Sequence, residues 1–383
     1  MKILIAPDSF KGTLTAVEAA QAMAEGARSV VPDAVIVELP IADGGEGTVE
    51  ALVRATGGKT KKATVTGPLG FPTVATWGIL GDGTTAVLEM ASASGLTLLT
   101  REQYQPRKTT TFGTGELIRA ALDERAKKVV IGIGGSATND GGAGAAEALG
   151  ARFHDEKGIP IGRGGEALAH LEHIDLSGLD PRLGDVQIVV ACDVDNVLCG
   201  PDGASAVYGP QKGATRNDVE ILDRALHHYA DVILRSMGID VRPLRGGGAA
   251  GGLGAGLTAF CGAHLSRGVD LILDALGFDQ HLRNADVVLT GEGRIDSQLK
   301  FGKALAGILK RAGRNSVPVL GLAGFIEGPP EQYCGRGLFA DVGSLTAETV
   351  SIDDAMNNAY QLVRHRTSDL LNRWLVKNPQ SRR

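Results

Sequence analysis

Acids, bases and glycines recur in this sequence directly after apolar, β-branched runs. "KILIAPDSFKGT" places Asp8, Ser9 and Lys11 there, and "AVIVELPIADGGEGT" places Asp43 and Glu46 in the same position one unit later. In "VVIGIGGSATNDGG" the run is followed by Gly134, Gly135, Ser136 and Asn139. Asp193 and Asp195 leave "VQIVVACDVDN" with i, i+2 spacing, which can set two carboxylates near one Mg²⁺ or one hydroxyl. Lys212 follows in the Gly-Pro-flanked loop "YGPQKGAT". In "VVLTGEGRIDSQLKFGKALAG", Glu292, Arg294, Asp296 and Lys303 cluster in a glycine turn expected between a strand and a helix. Strand carboxyl ends and helix N-termini are where α/β sheets bind ligands. Glycine turns there donate N–H groups to phosphates, Lys and Arg offset developing negative charge, and carboxylates hold Mg²⁺ or accept a hydroxyl proton. Helix capping at Asp8 and turn chemistry at Asp43 compete with that role. So many charges within residues 292–303 are harder to explain by packing. The residues alone point to a nucleotide-dependent kinase or ligase of a small anionic substrate.

Other chemistries fit less well. Gly132, Gly134 and Ala137 match the G-x-G-x-x-G/A dinucleotide fingerprint, with Asp155 near the spacing of a ribose-binding acid. That fingerprint normally opens a domain, whereas about 130 residues precede this one, and its turn is crowded with polar side chains, with Ser136, Thr138, Asn139 and Asp140 expected at its mouth. A phosphate or substrate cradle is the better reading. Gly58-Lys59 and Gly302-Lys303 lack the upstream glycine of a Walker A loop. His170 and His173 stand isolated, and no HExxH or Ser-His-Asp order emerges. A net charge of −5 argues against nucleic acid or an anionic membrane as partner. Cys192, Cys199, Cys261 and Cys334 form no zinc spacing and read as thiols of a reducing compartment. Gly246–Leu265 is uncharged but too glycine-rich to insert in a bilayer, and "MKILIAPDSF" reads as a strand, not a signal peptide. The expectation is a cytoplasmic enzyme of a small molecule, with homo-oligomerisation left open.

The elements that must position these groups are legible from periodicity. The chain has 383 residues, too many for one ordinary core, and 54 glycines concentrated in turns. Residues 1–65 read β-α-β-α-β, with a helix capped by Thr15, a second ended by Gly57-Gly58, and a third strand beginning "KKATVTG". Residues 285–383 resume the rhythm with three strands, the helix "GKALAGILKRAG" and a long final helix "DDAMNNAYQLVRHRTSDLLNRWLV". Residues 66–284 differ. "FPTVATWGILGDGTTAVLEMASASG" alternates like an antiparallel hairpin turning at Gly81-Asp82-Gly83, and helix and strand patterns follow. The expected fold is α/β in two domains: a parallel α/β domain from 1–65 plus 285–383, and an inserted mixed α/β domain over 66–284.

The motifs as a set resemble the glycerate kinase type I family. "IAPDSFKGTLTA", "PIADGGEGT", "ASASGL", "FGTGELI", "GIGGSATNDGGAG", "ACDVDN", "GPQKGA", "GAAGGLGAGL" and "TGEGRIDSQ" run in order across nearly the whole chain. The resemblance implies a flavodoxin-like domain made from both termini and an inserted domain likened to restriction endonucleases. It implies transfer of the ATP γ-phosphoryl group to (R)-glycerate, giving 2-phosphoglycerate and ADP, with ATP and Mg²⁺ as cofactors. From the residues themselves, Asp296, Asp193, Lys11 and Arg294 are the catalytic candidates for such a reaction. Asp8, Ser9, Asp43, Gly134, Gly135, Ser136, Asn139, Lys212 and Lys303 are expected to bind substrate or nucleotide. Asp193 and Glu292 are the expected metal ligands. Leu299 stands where a Thr is expected, and Arg245-Gly246 replaces a Pro-Gly; neither departure touches a charged candidate. Another small hydroxy acid as substrate, an NAD-dependent dehydrogenase and a non-catalytic sugar-acid sensor are the rival readings.

Overall fold

The computed structural model describes residues 1–10, 12–41, 47–296, 303–346 and 352–382. In chain order its strands are β1 (Lys2–Ile5), β2 (Val35–Glu38), β3 (Lys59–Thr66), β4 (Pro72–Ile79), β5 (Thr85–Glu89), β6 (Lys128–Gly132), β7 (Arg152–His154), β8 (His173–Asp175), β9 (Gln187–Ala191), β10 (His264–Ser266), β11 (Val287–Ile295), β12 (Val319–Ile326) and β13 (Asp341–Ser344). They fall into two compact units, Met1–Asp43 with Val269–Arg383, and Gly44–Gly268.

The first unit holds a five-stranded sheet in the order β13-β12-β11-β1-β2, with every neighbouring pair parallel. This is the flavodoxin-like order, in which the direction of winding reverses at the β1/β11 boundary. Parallel sheets bury both faces, so their inner strands are apolar; Ile3, Leu4, Ile5, Val287 and Val288 are 0% exposed. Helix Ala16–Val30 begins at a capping box: Thr15 Oγ1 accepts from the Glu18 amide at 3.2 Å, and Glu18 Oε2 accepts from the Thr15 amide at 2.9 Å. Its small residues let it lie close to helix Ala359–Lys377, where a Cβ on Gly26 would stand 2.3 Å from the Arg364 carbonyl oxygen. The expected single C-terminal helix is two, Ile352–Asn357 and Ala359–Lys377. Asn358 sits at the break and donates Nδ2 to the Asp354 carbonyl, local bonding that competes with helix continuation. Arg311, nearly buried, pairs with Asp270, Asp274 and Asp279 and so ties helix Lys303–Arg314 to helices Gly268–Ala275 and Phe278–Leu282.

The second unit is a mixed α/β unit around a six-stranded sheet, β10-β9-β6-β5-β4-β3, with a β7-β8 pair beside it in sequence. β5, β6, β9 and β10 are parallel, while β3-β4 and β4-β5 are antiparallel. The hairpin turns where the alternation placed it, with Asp82 accepting from the Thr84 and Thr85 amides at 2.9 and 2.8 Å. β3 differs from the sequence expectation. It pairs with β4 along its whole length rather than joining the terminal sheet. The reason is its composition: "KTKKATVT" is a lysine-rich run with only Val65 buried, suited to a sheet edge and not to a parallel interior. The compact units accordingly exchange at 43/44 and 268/269, where the sequence expectation set 65/66 and 284/285. The core gathers Trp77, Leu88, Ile131 and Val190 with an aromatic group in which Phe153 meets Phe260 edge-on at 5.6 Å and Tyr229 lies 6.4 Å from Phe260. Among the described residues no helix is long and apolar enough to cross a membrane.

Because β1 and β2 find their remaining sheet partners only in β11–β13, a fragment of residues 1–130 should not fold cooperatively. Thermal denaturation followed by circular dichroism checks this; a sharp melting transition would contradict the topology.

Candidate active site

In the first unit the site is assembled by backbone pairing across the ends of the chain. The β1 ladder continues past Ile5: the Ala6 amide donates to Leu289 O and the Asp8 amide to Gly291 O, both at 2.8 Å. Thr290 adds a side-chain bond, Oγ1 to Ala6 O at 2.7 Å. Asp8 is thereby held alongside the segment that carries Glu292, and its Oδ1 accepts from the Ser9 amide at 2.6 Å. The "GEGRID" segment, expected as a turn, is strand through Ile295. β12 supplies the partner, with Arg294 opposite Phe325 and Ile295 opposite Ile326. The two-residue period sends Glu292 and Arg294 to one face and Ile295, 0% exposed, to the other. Gly324 permits the approach, since a Cβ there would lie 2.5 Å from the Gly293 carbonyl oxygen.

Arg294 is the hub of this end. Its Nη2 lies 2.9 Å from Glu327 Oε2, its Nε 3.2 Å from Asp296 Oδ2, and its guanidinium carbon 5.7 Å from the Phe325 ring centroid. Glu327, then Asp296, holds the guanidinium above its ordinary pKa. The pair is largely exposed, so it orients more than it stabilises. Lys11 and Asp43 lie outside the described residues, as does the side chain of Lys303, whose backbone begins helix Lys303–Arg314.

The second unit holds the glycine-rich loop after β6. Gly134 and Gly135 are exposed, and Gly135 adopts φ +71°. The loop is stitched to the "ASASGL" segment by Leu96 N to Gly135 O and Ala137 N to Ser94 O, both 2.9 Å. Ser136 is buried beside that seam. Thr138, Asn139 and Asp140, expected at the mouth of the turn, are buried instead. The reason is a left-handed run, Ala250, Gly251 and Gly252, whose backbone presses on the loop; a Cβ on Gly251 would sit 2.0 Å from the Thr138 carbonyl oxygen. Asn139 Nδ2 donates to Ser205 Oγ at 2.9 Å, and its buried Oδ1 has no partner among the described residues. Lys212, 1% exposed, donates Nζ to Thr138 O at 2.7 Å. Burial pushes its pKa down to about 7, partly opposed by Asp140. Asp193, beyond β9, accepts on Oδ1 from the Gly268 amide at 3.0 Å.

Three features were not assigned a site role from sequence. Asp140 accepts from the Thr111 amide and hydroxyl at 2.8 and 2.9 Å and from the Gly142 and Gly144 amides. Burial pushes its carboxyl pKa up against those bonds. Glu327 follows β12 at the sheet end shared with β11, a position that the run "VLGLAGFI" marks. The third is a Cys199–His227–Asp223 cluster, with Sγ 3.3 Å from Nδ1 and Nε2 3.6 Å from Asp223 Oδ2. Burial pushes the Cys199 thiol up to about 11, so it is not an activated nucleophile at neutral pH.

After β6, residues 133–142 intervene before the six-residue helix Ala143–Ala148, so the glycines do not feed a helix as in a dinucleotide fold. Among the described residues no group of three or more His, Cys, Asp and Glu is arranged as a metal site. The structure brings Arg294, Asp296 and Glu327 together in one unit, and Thr138 with Lys212 in the other.

The glycerate kinase family model matches residues 3–375. The sequence is 50% identical over 370 residues to a glycerate kinase of Bacillus subtilis strain 168, covering 97% of each chain. It is 50% identical over 360 residues to a glycerate 2-kinase of Escherichia coli K12, covering 94% of each. The fold matches a crystal structure described as a glycerate kinase 2 from Salmonella typhimurium LT2, with a TM-score of 0.90 at 50% identity over 99% of each chain.

The buried lysine gives this loop a pH signature. Between its folded pKa of about 7 and the ordinary 10.5, the unfolded chain binds a proton at Lys212 that the folded chain does not. Stability therefore gains from this group as pH rises through that window. Lys212→Met should stabilise the protein most near pH 7 and progressively less toward pH 10, measured by urea unfolding of both proteins. An advantage independent of pH would show that Lys212 is not desolvated as described.

Proposed function

The chain belongs to the glycerate kinase family, and we propose that it transfers the γ-phosphoryl group of ATP to the 2-hydroxyl of (R)-glycerate, giving 2-phosphoglycerate and ADP. The observation that carries this reading is the Arg294–Asp296 pair at the carboxyl end of β11, where open α/β sheets bind ligands. Arg294 offers a permanently charged fork for a carboxylate or phosphate. Asp296 is proposed to accept the glycerate hydroxyl proton, with Asp193 as the competing base. Lys11 joins Arg294 in offsetting charge on the transferring group.

The residues present suit a nucleotide and its metal. The exposed Gly134-Gly135 turn of the second unit supplies the kind of backbone concavity that receives carboxylate or phosphate oxygens. Mg²⁺ usually takes one or two carboxylates, with phosphate and water oxygens completing its shell; Glu292 on the first unit is proposed for that role, with Asp193 on the second as the alternative carboxylate. When bound, the metal would offset charge on the phosphates. Asp8, Ser9, Asp43, Ser136 and Lys303 are proposed to contact substrate or nucleotide. Asn139 and Lys212, expected from sequence to bind substrate or nucleotide, are buried, and are proposed instead to hold the loop's backbone in shape.

Incubation with ATP, Mg²⁺ and (R)-glycerate should yield a product that enolase consumes without a mutase; a requirement for phosphoglycerate mutase would mean phosphorylation at the 3-hydroxyl. Asp296→Asn should retain the fold and lower kcat by about 10²–10⁴, the usual worth of a general base. Arg294→Lys should mainly raise a KM, because the charge survives and the fork does not. Normal kcat in Asp296→Asn with loss in Asp193→Asn would move the base to Asp193.

A further inference from the structure

The carboxyl end of the first unit's sheet contains a cleft of about 180 Å³ that the sequence did not reveal. Phe10, Leu345 and Met356 line it, with Phe325 and the backbone of Gly293 and Gly324. Phe325 on β12 and Met356 on helix Ile352–Asn357 keep 41% and 49% of their surface exposed and line the same cleft, so they form a patch and not scattered single side chains. The volume is below that of a site for a whole drug-sized ligand and suits a single ring system. We propose that this cleft takes the adenine ring of the nucleotide, which places ATP on the first unit; the inference rests on the reading of the chain as an ATP-dependent glycerate kinase.

The chemistry of the two co-substrates makes the choice. Glycerate is small, anionic and hydroxylated, and gains nothing from a Phe and Met wall. The nucleotide carries one flat, weakly hydrated surface, and aromatic and thioether side chains pack favourably against such rings. The polar rim is consistent. Thr13 Oγ1 donates to Phe10 O at 2.7 Å and Thr346 Oγ1 to Gly324 O at 3.1 Å. Both hydroxyls line the cleft and keep acceptor capacity toward an exocyclic amino group of the base. Phe325 also meets the Arg294 guanidinium, so the cleft adjoins the charged end of β11.

Photolabelling with 8-azido-ATP, followed by mass spectrometry of the peptides, tests the placement. Label on peptides holding Phe325 or Met356, suppressed by ATP, is the expected result. Phe325→Ala should raise the KM for ATP about 10-fold, leaving kcat and the KM for glycerate within about twofold. ATP-suppressible label confined to peptides of residues 44–268, with normal turnover, overturns the pocket assignment and leaves the kinase reading standing. Absence of any product from ATP and glycerate in the unmodified protein overturns that reading, and the assignment with it.

Discussion

The pairing of β1 with β11 is the constraint on which the first unit depends. Two strands whose bonded residues are some 284 positions apart, such as Thr290 and Ala6, lie side by side at the centre of one parallel sheet. Closing so long a loop is costly in chain entropy, though the cost grows only slowly with length. The fully buried aliphatic strands that meet there offset it. The same ladder, extended beyond Ile5, fixes Asp8 relative to Gly291 and hence to the Glu292–Asp296 segment. Fold closure and the placement of the candidate site use the same hydrogen bonds.

The second unit depends on a different device, the meeting of two glycine-rich backbones. The left-handed Ala250–Gly252 run can press on Thr138 only because no Cβ stands between them at Gly251. That contact seals Thr138, Asn139 and Asp140 from water, so their polar groups depend on partners within the protein, and Asn139 Oδ1 has none among the described residues. Asp140 finds four donors, and Lys212 reaches the Thr138 carbonyl. A loop built this way is rigid where it is buried and open at Gly134-Gly135, which suits a surface that must be ready for a ligand.

Periodicity made most elements of the parallel sheet legible, because buried parallel strands are apolar runs and their helices carry caps such as Thr15. The β4-β5 hairpin was equally plain from its alternation. β3 was not, since edge strands carry lysines and announce no sheet of their own; its partner is decided by tertiary pairing. Strand status for "GEGRI" was hidden by its glycines and charges, which mimic a turn until β12 supplies the ladder. Among site residues, Arg294 and Asp296 were visible as a charged pair in an apolar context. Asp140 was visible only as a mouth residue, because nothing local tells a buried carboxylate from an exposed one. Glu327 meets Arg294 through the sheet and not through sequence proximity.

The central claim is that glycerate phosphorylation uses the carboxyl end of β11. A crystal structure with (R)-glycerate, Mg²⁺ and a non-hydrolysable ATP analogue tests it most directly. The expected result places a carboxylate or phosphate oxygen within hydrogen-bonding distance of Arg294 and the 2-hydroxyl against Asp296 or Asp193. Well-ordered density for both ligands with no contact to residues 292–296 would contradict it.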